Sequence, residues 1–165
     1  MTIEEFKVFL DYFSKVRKRT LRVIQVIPEN KIEWTFQEGK FTLGDIIRHL
    51  AAIERWMYAE NAQFKPSKYA GCGTDLADGF KNTVQLLNKW HEESMAIFSA
   101  LTEADINRKC LTPGNAEITL WKWLRLMAEH EIHHRGQLYT YLAMLGVKTP
   151  PIYGLTSEEV AARSS

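Results

Sequence analysis

Four stretches of this chain place apolar residues three or four positions apart, which is the spacing of one face of an α-helix. They cover residues 2–27, 42–57, 74–98 and 119–145. No stretch alternates apolar and polar residues over the length of a strand. Helices that each carry one apolar face must bury those faces against one another. The pattern therefore predicts an all-α fold, a four-helix bundle.

Each predicted helix begins at a threonine, the first two at Thr2 and Thr42. Glu5 and Asp45 follow these two threonines by three positions, as in a capping box, in which side chain and backbone of the first turn bond reciprocally. The third helix is expected to open at Thr74 and the fourth at Thr119.

The remaining segments predict little regular structure. Residues 102–118 contain Pro113 and Gly114 and predict a long loop with one helical turn. A short tail helix is expected after Ser157. We expect a single domain over residues 1–165, with a core of about residues 2–146 and a C-terminal tail over 147–165.

Composition excludes several classes of protein. The 165 residues are 45% hydrophobic and 25% charged, which is ordinary for a folded domain, and the formal net charge of +1 gives no general support for nucleic-acid binding. No run approaches the roughly 20 apolar residues of a membrane span, and acids stand where a signal peptide has bases. We expect a cytoplasmic protein in which Cys72 and Cys110 are unpaired thiols near the surface.

Histidines fill a gap in the apolar face of the fourth helix, between Met127 and Leu138. His130 and His134 are four positions apart, so their rings project about 40° apart on the helix and can chelate one metal ion. His49 lies on the predicted buried face of the second helix. An antiparallel bundle brings it toward the other two, and three imidazoles with open positions are typical of a catalytic divalent ion.

Other interpretations of the histidines remain open. A histidine on an apolar face is more often a hydrogen-bonded core residue than a ligand, although a close pair of imidazoles is costly to bury without an ion. His133 either pairs with His130 at the ion or, as we favour, flanks the site. His91 follows Leu87 by four positions, and we expect it at the boundary of the core.

The same segment matches two further metal motifs. Residues 130–134 read His-Glu-Ile-His-His and fit H-E-x-x-H, in which Glu131 would activate the water of a zinc protease. Downstream, only Glu158 and Glu159 are available as a third ligand, and no strand edge is predicted to bind a peptide. Glu131 and His134 also form one Glu-x-x-His, but a di-iron bundle needs a second, which the chain lacks.

The helix over residues 130–146 resembles the last core helix of the DinB/YfiT-like family of metal-binding bundles. The family hallmark is a histidine, three residues, and a second histidine followed by a basic residue, glycine and glutamine. Here it reads His130, then His134-Arg135-Gly136-Gln137. Residues 42–49, ending in His49, resemble the second helix of the family, which carries the third ligand. The order of helices agrees over roughly residues 2–154.

The resemblance implies a four-helix bundle with metal ligands His49, His130 and His134, often as a homodimer. Family members are thiol-dependent S-transferases or metal-dependent hydrolases. One divalent ion, with zinc, nickel and iron as candidates, would activate a low-molecular-weight thiol or a water against a small-molecule substrate. A metal-stabilised or metal-sensing bundle without turnover is the alternative, and a DNA-binding protein is the least favoured.

Four residues near the ligands have candidate roles. Glu131 is a candidate catalytic base, or otherwise a solvated or supporting side chain. Glu54 is placed to orient an imidazole of the metal site, and Arg135 to bind an anionic group or pair with an acid. Gly136 lowers helix propensity by about 1 kcal/mol relative to alanine, so we expect it to serve close helix packing.

Overall fold

The computed structural model describes residues 1–164 and is mostly helical, which confirms the predicted four-helix bundle. The helices are α1 (Ile3–Ile24), α2 (Leu43–Ile53), α3 (Ala59–Ala62), α4 (Gly79–Ser99), α5 (Glu103–Asn107), α6 (Leu120–Met144) and α7 (Ser157–Ser164). The bundle consists of α1, α2 continued by α3, α4 and α6. Among the described residues, no helix is both long and apolar enough to cross a membrane.

Both predicted capping boxes are present. The Thr2 hydroxyl accepts from the amide of Glu5 at 3.2 Å, and the Thr42 hydroxyl accepts from the amide of Asp45 at 2.9 Å. Each carboxylate accepts in return from the threonine amide, at 2.7 and 2.9 Å. These bonds satisfy backbone N–H groups that lack a partner at a helix start, and they fix where α1 and α2 begin.

The third bundle helix starts later than predicted. Thr74 does not open it; Asp78 is the cap of α4 and Gly79 its first residue. A guanidinium nitrogen of Arg48 binds the carbonyl oxygen of Ala77 at 3.1 Å. This bond holds the residues just before the helix against α2, in a bend that a helix from Thr74 would not allow.

The helical turn expected within residues 102–118 is present as α5, but the rest of this segment is more ordered than the expected loop. The hydroxyl of Thr102 accepts from the Asp105 amide at 3.2 Å and caps α5. An antiparallel hairpin follows, formed by β1 (Lys109–Leu111) and β2 (Glu117–Thr119), with Lys109 opposite Thr119. Strands of three residues are too short for alternation to reveal them.

One turn of the second bundle helix is wider than an α-helix. Residues Glu54–Tyr58 form a π-helical turn between α2 and α3. Such a turn contains an extra residue and shifts the register of the side chains that follow. Here the turn begins at Glu54, five positions after His49, and Glu54 is 2% exposed in the bundle interior.

The interior contains two apolar clusters separated by charge. In the bundle, α2 packs mainly against α4, and α1 against α6. The first cluster includes Phe6, Phe13, Ile53, Phe98, Leu124 and Met127. The second includes Val23, Ile46, Leu50, Leu87, Leu138 and Leu142. Arg17, Glu54 and Glu131 lie at the level between the clusters, on three helices, and all three are buried.

The cysteines are unpaired, as predicted, but they differ in exposure. Cys72 is half-buried in the segment before α4, whereas Cys110 is only 3% exposed. The expectation that both lie near the surface is wrong for Cys110. Cys110 lies in β1, and its side chain packs in the first apolar cluster. Burial raises the pKa of the Cys110 thiol.

Candidate metal centre

The three predicted histidines meet at one point in the bundle. His49 projects from α2, and His130 and His134 project from consecutive turns of α6. Nε2 of His130 lies 3.1 Å from Nε2 of His49 and 3.1 Å from Nε2 of His134. Among the described residues, these three form a group whose donor atoms all lie within 4.8 Å of one another.

The spacing of the nitrogens suits a single small cation. A tetrahedral ion bound at about 2.0–2.1 Å by each nitrogen separates those nitrogens by about 3.3 Å. The two shortest separations in the cluster are close to this value. All three donors are imidazoles, so the ligand set carries no negative charge and suits zinc, nickel or iron. The residues present fit a divalent ion.

The outer nitrogens of two rings are held by neighbours. Nδ1 of His134 lies 2.9 Å from Oε1 of Gln137, and Nδ1 of His49 lies 2.9 Å from the hydroxyl of Tyr69. An amide oxygen only accepts, so the neutral His134 carries its proton on Nδ1 and presents the Nε2 lone pair to the centre. Partners of this kind fix the tautomer and the orientation of a metal-binding imidazole.

Electrostatics favours uncharged rings. Burial, together with the neighbouring His134, lowers the pKa of His49 to about 4. Burial and the adjacent histidines lower the pKa of His130 to about 3. The pKa of His134 is lowered as well, mainly by burial, although its bond to Gln137 opposes the shift. All three rings are therefore neutral at neutral pH, which is the form that binds a metal ion.

Aromatic side chains surround the cluster. The ring of Phe41 lies 5.5 Å from the ring of His49 and is 38% exposed, whereas Tyr69 meets His49 edge-on at 5.6 Å. Tyr141 accepts a hydrogen bond from the Gln137 amide at 3.3 Å. The half-buried centre thus has apolar surface beside it that is open to solvent.

The structure does not bring Glu131 into this cluster. Its carboxylate lies 2.8 Å from Nη2 of Arg17, and the side chain is 2% exposed. The expectation of a solvated Glu131 is wrong, because the residue lies on the inner side of α6 against α1. Its role as a catalytic base stays a prediction that this placement does not support. The zinc-protease interpretation needs the Glu131 carboxylate beside the metal ligands, and the structure does not place it there.

Arg17 joins Glu131 to a second carboxylate. Nη2 of Arg17 lies 2.5 Å from Oε2 of Glu54, and Oε1 of Glu54 lies 2.8 Å from Nδ1 of His91. Burial by itself would lower the pKa of Arg17, but Glu131 and Glu54 outweigh it and raise that pKa. The prediction that Glu54 orients an imidazole of the metal site was therefore wrong, because Glu54 binds His91, which lies outside the cluster.

Sequence reasoning missed Arg17, although a signal was present. Arg17 follows Phe13 by four positions and lies on the predicted apolar face of the first helix. A charge on a buried face indicates an ion pair in the interior, because an unpaired buried charge is too costly. Tyr69 was missed for a different reason, since it lies in an irregular segment without periodicity.

Three further predicted residues lie outside the cluster. His133 is exposed and contacts the ring of His134 at 5.1 Å, so it flanks the site as favoured. Arg135 is buried and donates to the carbonyl of Val16 and the hydroxyl of Tyr153, instead of binding an acid. Gly136 is exposed, and a methyl group there would meet no atom within 4 Å, so the packing role is wrong.

The fold and the histidine geometry define a helical bundle with a three-histidine cluster. The pattern that defines the DinB family matches residues 1–164, and the chain belongs to the DinB family. It is also 36% identical over 150 residues to the uncharacterised YjoA protein of Bacillus subtilis, which covers 87% of this chain and 93% of YjoA.

Solved structures share the fold at low sequence identity. YfiT from Bacillus subtilis, described as a probable metal-dependent hydrolase with an unusual four-helix bundle topology, superposes with a TM-score of 0.71 at 17% identity, covering 90% of this chain and 91% of YfiT. A mycothiol-dependent maleylpyruvate isomerase gives a TM-score of 0.60 at 18% identity, covering 84% of this chain and 63% of the isomerase. Both comparisons show the shared bundle.

Proposed function

We propose that this protein binds one divalent ion through His49, His130 and His134 and uses it to transfer a thiol to, or to hydrolyse, a small molecule. The convergence of three Nε2 atoms carries the proposal. The family gives it further support, because YfiT is described as a probable metal-dependent hydrolase and a maleylpyruvate isomerase of the same fold depends on mycothiol.

The donor set defines what the centre offers a substrate. When bound, a divalent ion at three neutral imidazoles keeps its full charge and lowers the pKa of a coordinated water or thiol toward neutrality. His49, His130 and His134 supply the ligands, and they leave further coordination positions for a substrate. Zinc, nickel and iron are all consistent with imidazole donors.

The protein contributes positioning around that centre. Gln137 holds the outer nitrogen of His134, so this ring cannot turn away without losing a hydrogen bond. The partly exposed ring of Phe41 lies beside His49 and offers a surface for the organic part of a thiol or an ester. Arg17 binds the buried carboxylate of Glu131, which is next to His130 in sequence, and so keeps that carboxylate away from the donor atoms.

Activity should depend on the ion and on the cluster. Protein stripped with a chelator and reloaded separately with zinc, nickel or ferrous iron would be assayed with glutathione and 1-chloro-2,4-dinitrobenzene, and with p-nitrophenyl acetate. In the first assay a carbon–sulfur bond forms, chloride leaves and the thiol proton passes to the buffer. We expect turnover with at least one metal, none without metal, and none in His130→Ala.

His133→Ala is the matched control, because His133 neighbours the same ligands but is exposed and outside the cluster. It should keep the activity of the wild type. Metal binding without turnover on any thiol acceptor or ester would instead favour a metal-stabilised or metal-sensing bundle. The homodimer and the cytoplasmic location stay predictions.

A further inference from the structure

The segment between α3 and α4, residues 63–78, is anchored to the bundle on both sides of Tyr69. The amide of Lys68 donates to the carbonyl of Trp56 at 2.7 Å. On the other side, Nε of Arg48 donates to the carbonyl of Cys72 at 2.8 Å, and Nη1 donates to that of Ala77 at 3.1 Å. The backbone around Tyr69 is therefore fixed by contacts that do not use its side chain.

Arg48 is itself held rigidly. It is fully buried, and its guanidinium binds both oxygens of Glu33, at 2.8 and 2.9 Å, and Asp45 at 2.7 Å. It directly precedes His49 in α2. Helix α2 therefore carries His49 and, through Arg48, also anchors the segment whose Tyr69 contacts His49.

The side chain of Tyr69 connects this segment to the cluster. Its hydroxyl lies 2.9 Å from Nδ1 of His49, and the two rings are perpendicular. A histidine that binds metal through Nε2 keeps its proton on Nδ1 and must donate it to an acceptor, here the phenolic oxygen.

We propose that Tyr69 is a positioning residue of the metal centre: it accepts the Nδ1 proton of His49 and holds the Nε2 lone pair toward His130 and His134. The inference rests on the proposed metal site. Loss of the Tyr69 hydroxyl leaves Nδ1 without its partner and frees the ring to rotate, whereas the anchors of the segment remain. Tyr69 then acts on metal affinity and not on the fold.

Tyr69→Phe removes only the hydroxyl and is the direct test. Zinc affinity would be measured by competition with a chromophoric chelator, beside Tyr12→Phe, which changes an exposed tyrosine on α1. We expect Tyr69→Phe to weaken zinc binding by about 10–100-fold, the usual cost of removing such a partner. Tyr12→Phe should bind like the wild type, and the metal-free melting temperatures of all three should agree.

The outcomes separate this inference from the proposed function. A wild type that binds no zinc contradicts the metal site itself, whereas equal affinities of wild type and Tyr69→Phe overturn only the role of Tyr69. If the variant melts earlier without metal, nitrogen-15 spectra of the His49 ring decide. A slowly exchanging Nδ1 proton in the zinc-loaded wild type that exchanges rapidly in Tyr69→Phe supports the role, and unchanged exchange overturns it.

Discussion

At the scale of single residues, the arrangement depends on imidazoles that stay uncharged. His130 faces two other ring nitrogens at 3.1 Å, and a proton on each would place like charges in contact inside the bundle. Spacing made His130 and His134 candidates, because they replace aliphatic residues on one helix face, and the family resemblance supported the full set with His49. The hydrogen-bond partners were not predictable, since Tyr69 reaches the cluster through tertiary contacts.

The metal-free protein should lose stability as the pH falls below about 6.5. The unfolded chain protonates its histidines near that pH, whereas burial holds the pKa of His49 at about 4 and that of His130 at about 3. The unfolded state therefore binds more protons between pH 6.5 and 3, and folding weakens over that range. Urea unfolding at pH 7.5 to 4.5 measures the free energy of unfolding over this range. In His130→Gln that free energy should fall less steeply with decreasing pH. Equal slopes would contradict the shifted pKa.

Gly136→Ala should stabilise the protein by about 1 kcal/mol. The glycine is exposed within α6, and an added methyl group meets no neighbouring atom, so only the gain in helix propensity remains. Urea unfolding of wild type and variant gives the difference directly. A loss of stability would show that another contact at this position requires glycine.

At the scale of elements, the long helices were predictable because their apolar residues repeat over many turns. The shorter features were not. A π-helical turn over Glu54–Tyr58 changes the register for a single turn, and the strands Lys109–Leu111 and Glu117–Thr119 are too short to show a period. Just before the late start of α4, the carbonyl of Ala77 is bound by Arg48, a residue of another helix, and no local pattern reports such a contact.

The buried charges tie three helices together, and Arg17→Met should be strongly destabilising. Methionine leaves the carboxylates of Glu54 and Glu131 buried without their cation, which typically costs about 3–5 kcal/mol. Arg125→Met is the control, because Arg125 pairs with Glu129 at the surface and such pairs contribute about 1 kcal/mol or less. Equal free energies of unfolding for both variants would contradict the buried network.

At the scale of the whole molecule, two apolar clusters lie on either side of the charged level, and neither contains a histidine of the candidate metal centre. This is why helix periodicity alone sufficed to predict the bundle. An ion bound by the histidine cluster would add its binding free energy to that of these apolar clusters. The family comparison agrees with the predicted class, but it leaves metal identity and substrate to experiment.

Removal of the metal should therefore leave the bundle folded. The far-ultraviolet circular dichroism should keep its helical signal after chelation, with a lower melting temperature. Free metal at 1,000 times its dissociation constant should stabilise the folded state by about 4 kcal/mol. Loss of the helical signal on chelation would contradict this and would indicate a purely structural ion.

The most direct test of the central claim is the metal content of purified protein, measured by elemental analysis after reloading and removal of free metal. We predict one ion per chain in the wild type and in His133→Ala, and a large loss in His49→Ala, His130→Ala and His134→Ala. Full metal content in all three cluster variants would contradict the claim that these histidines bind a shared ion.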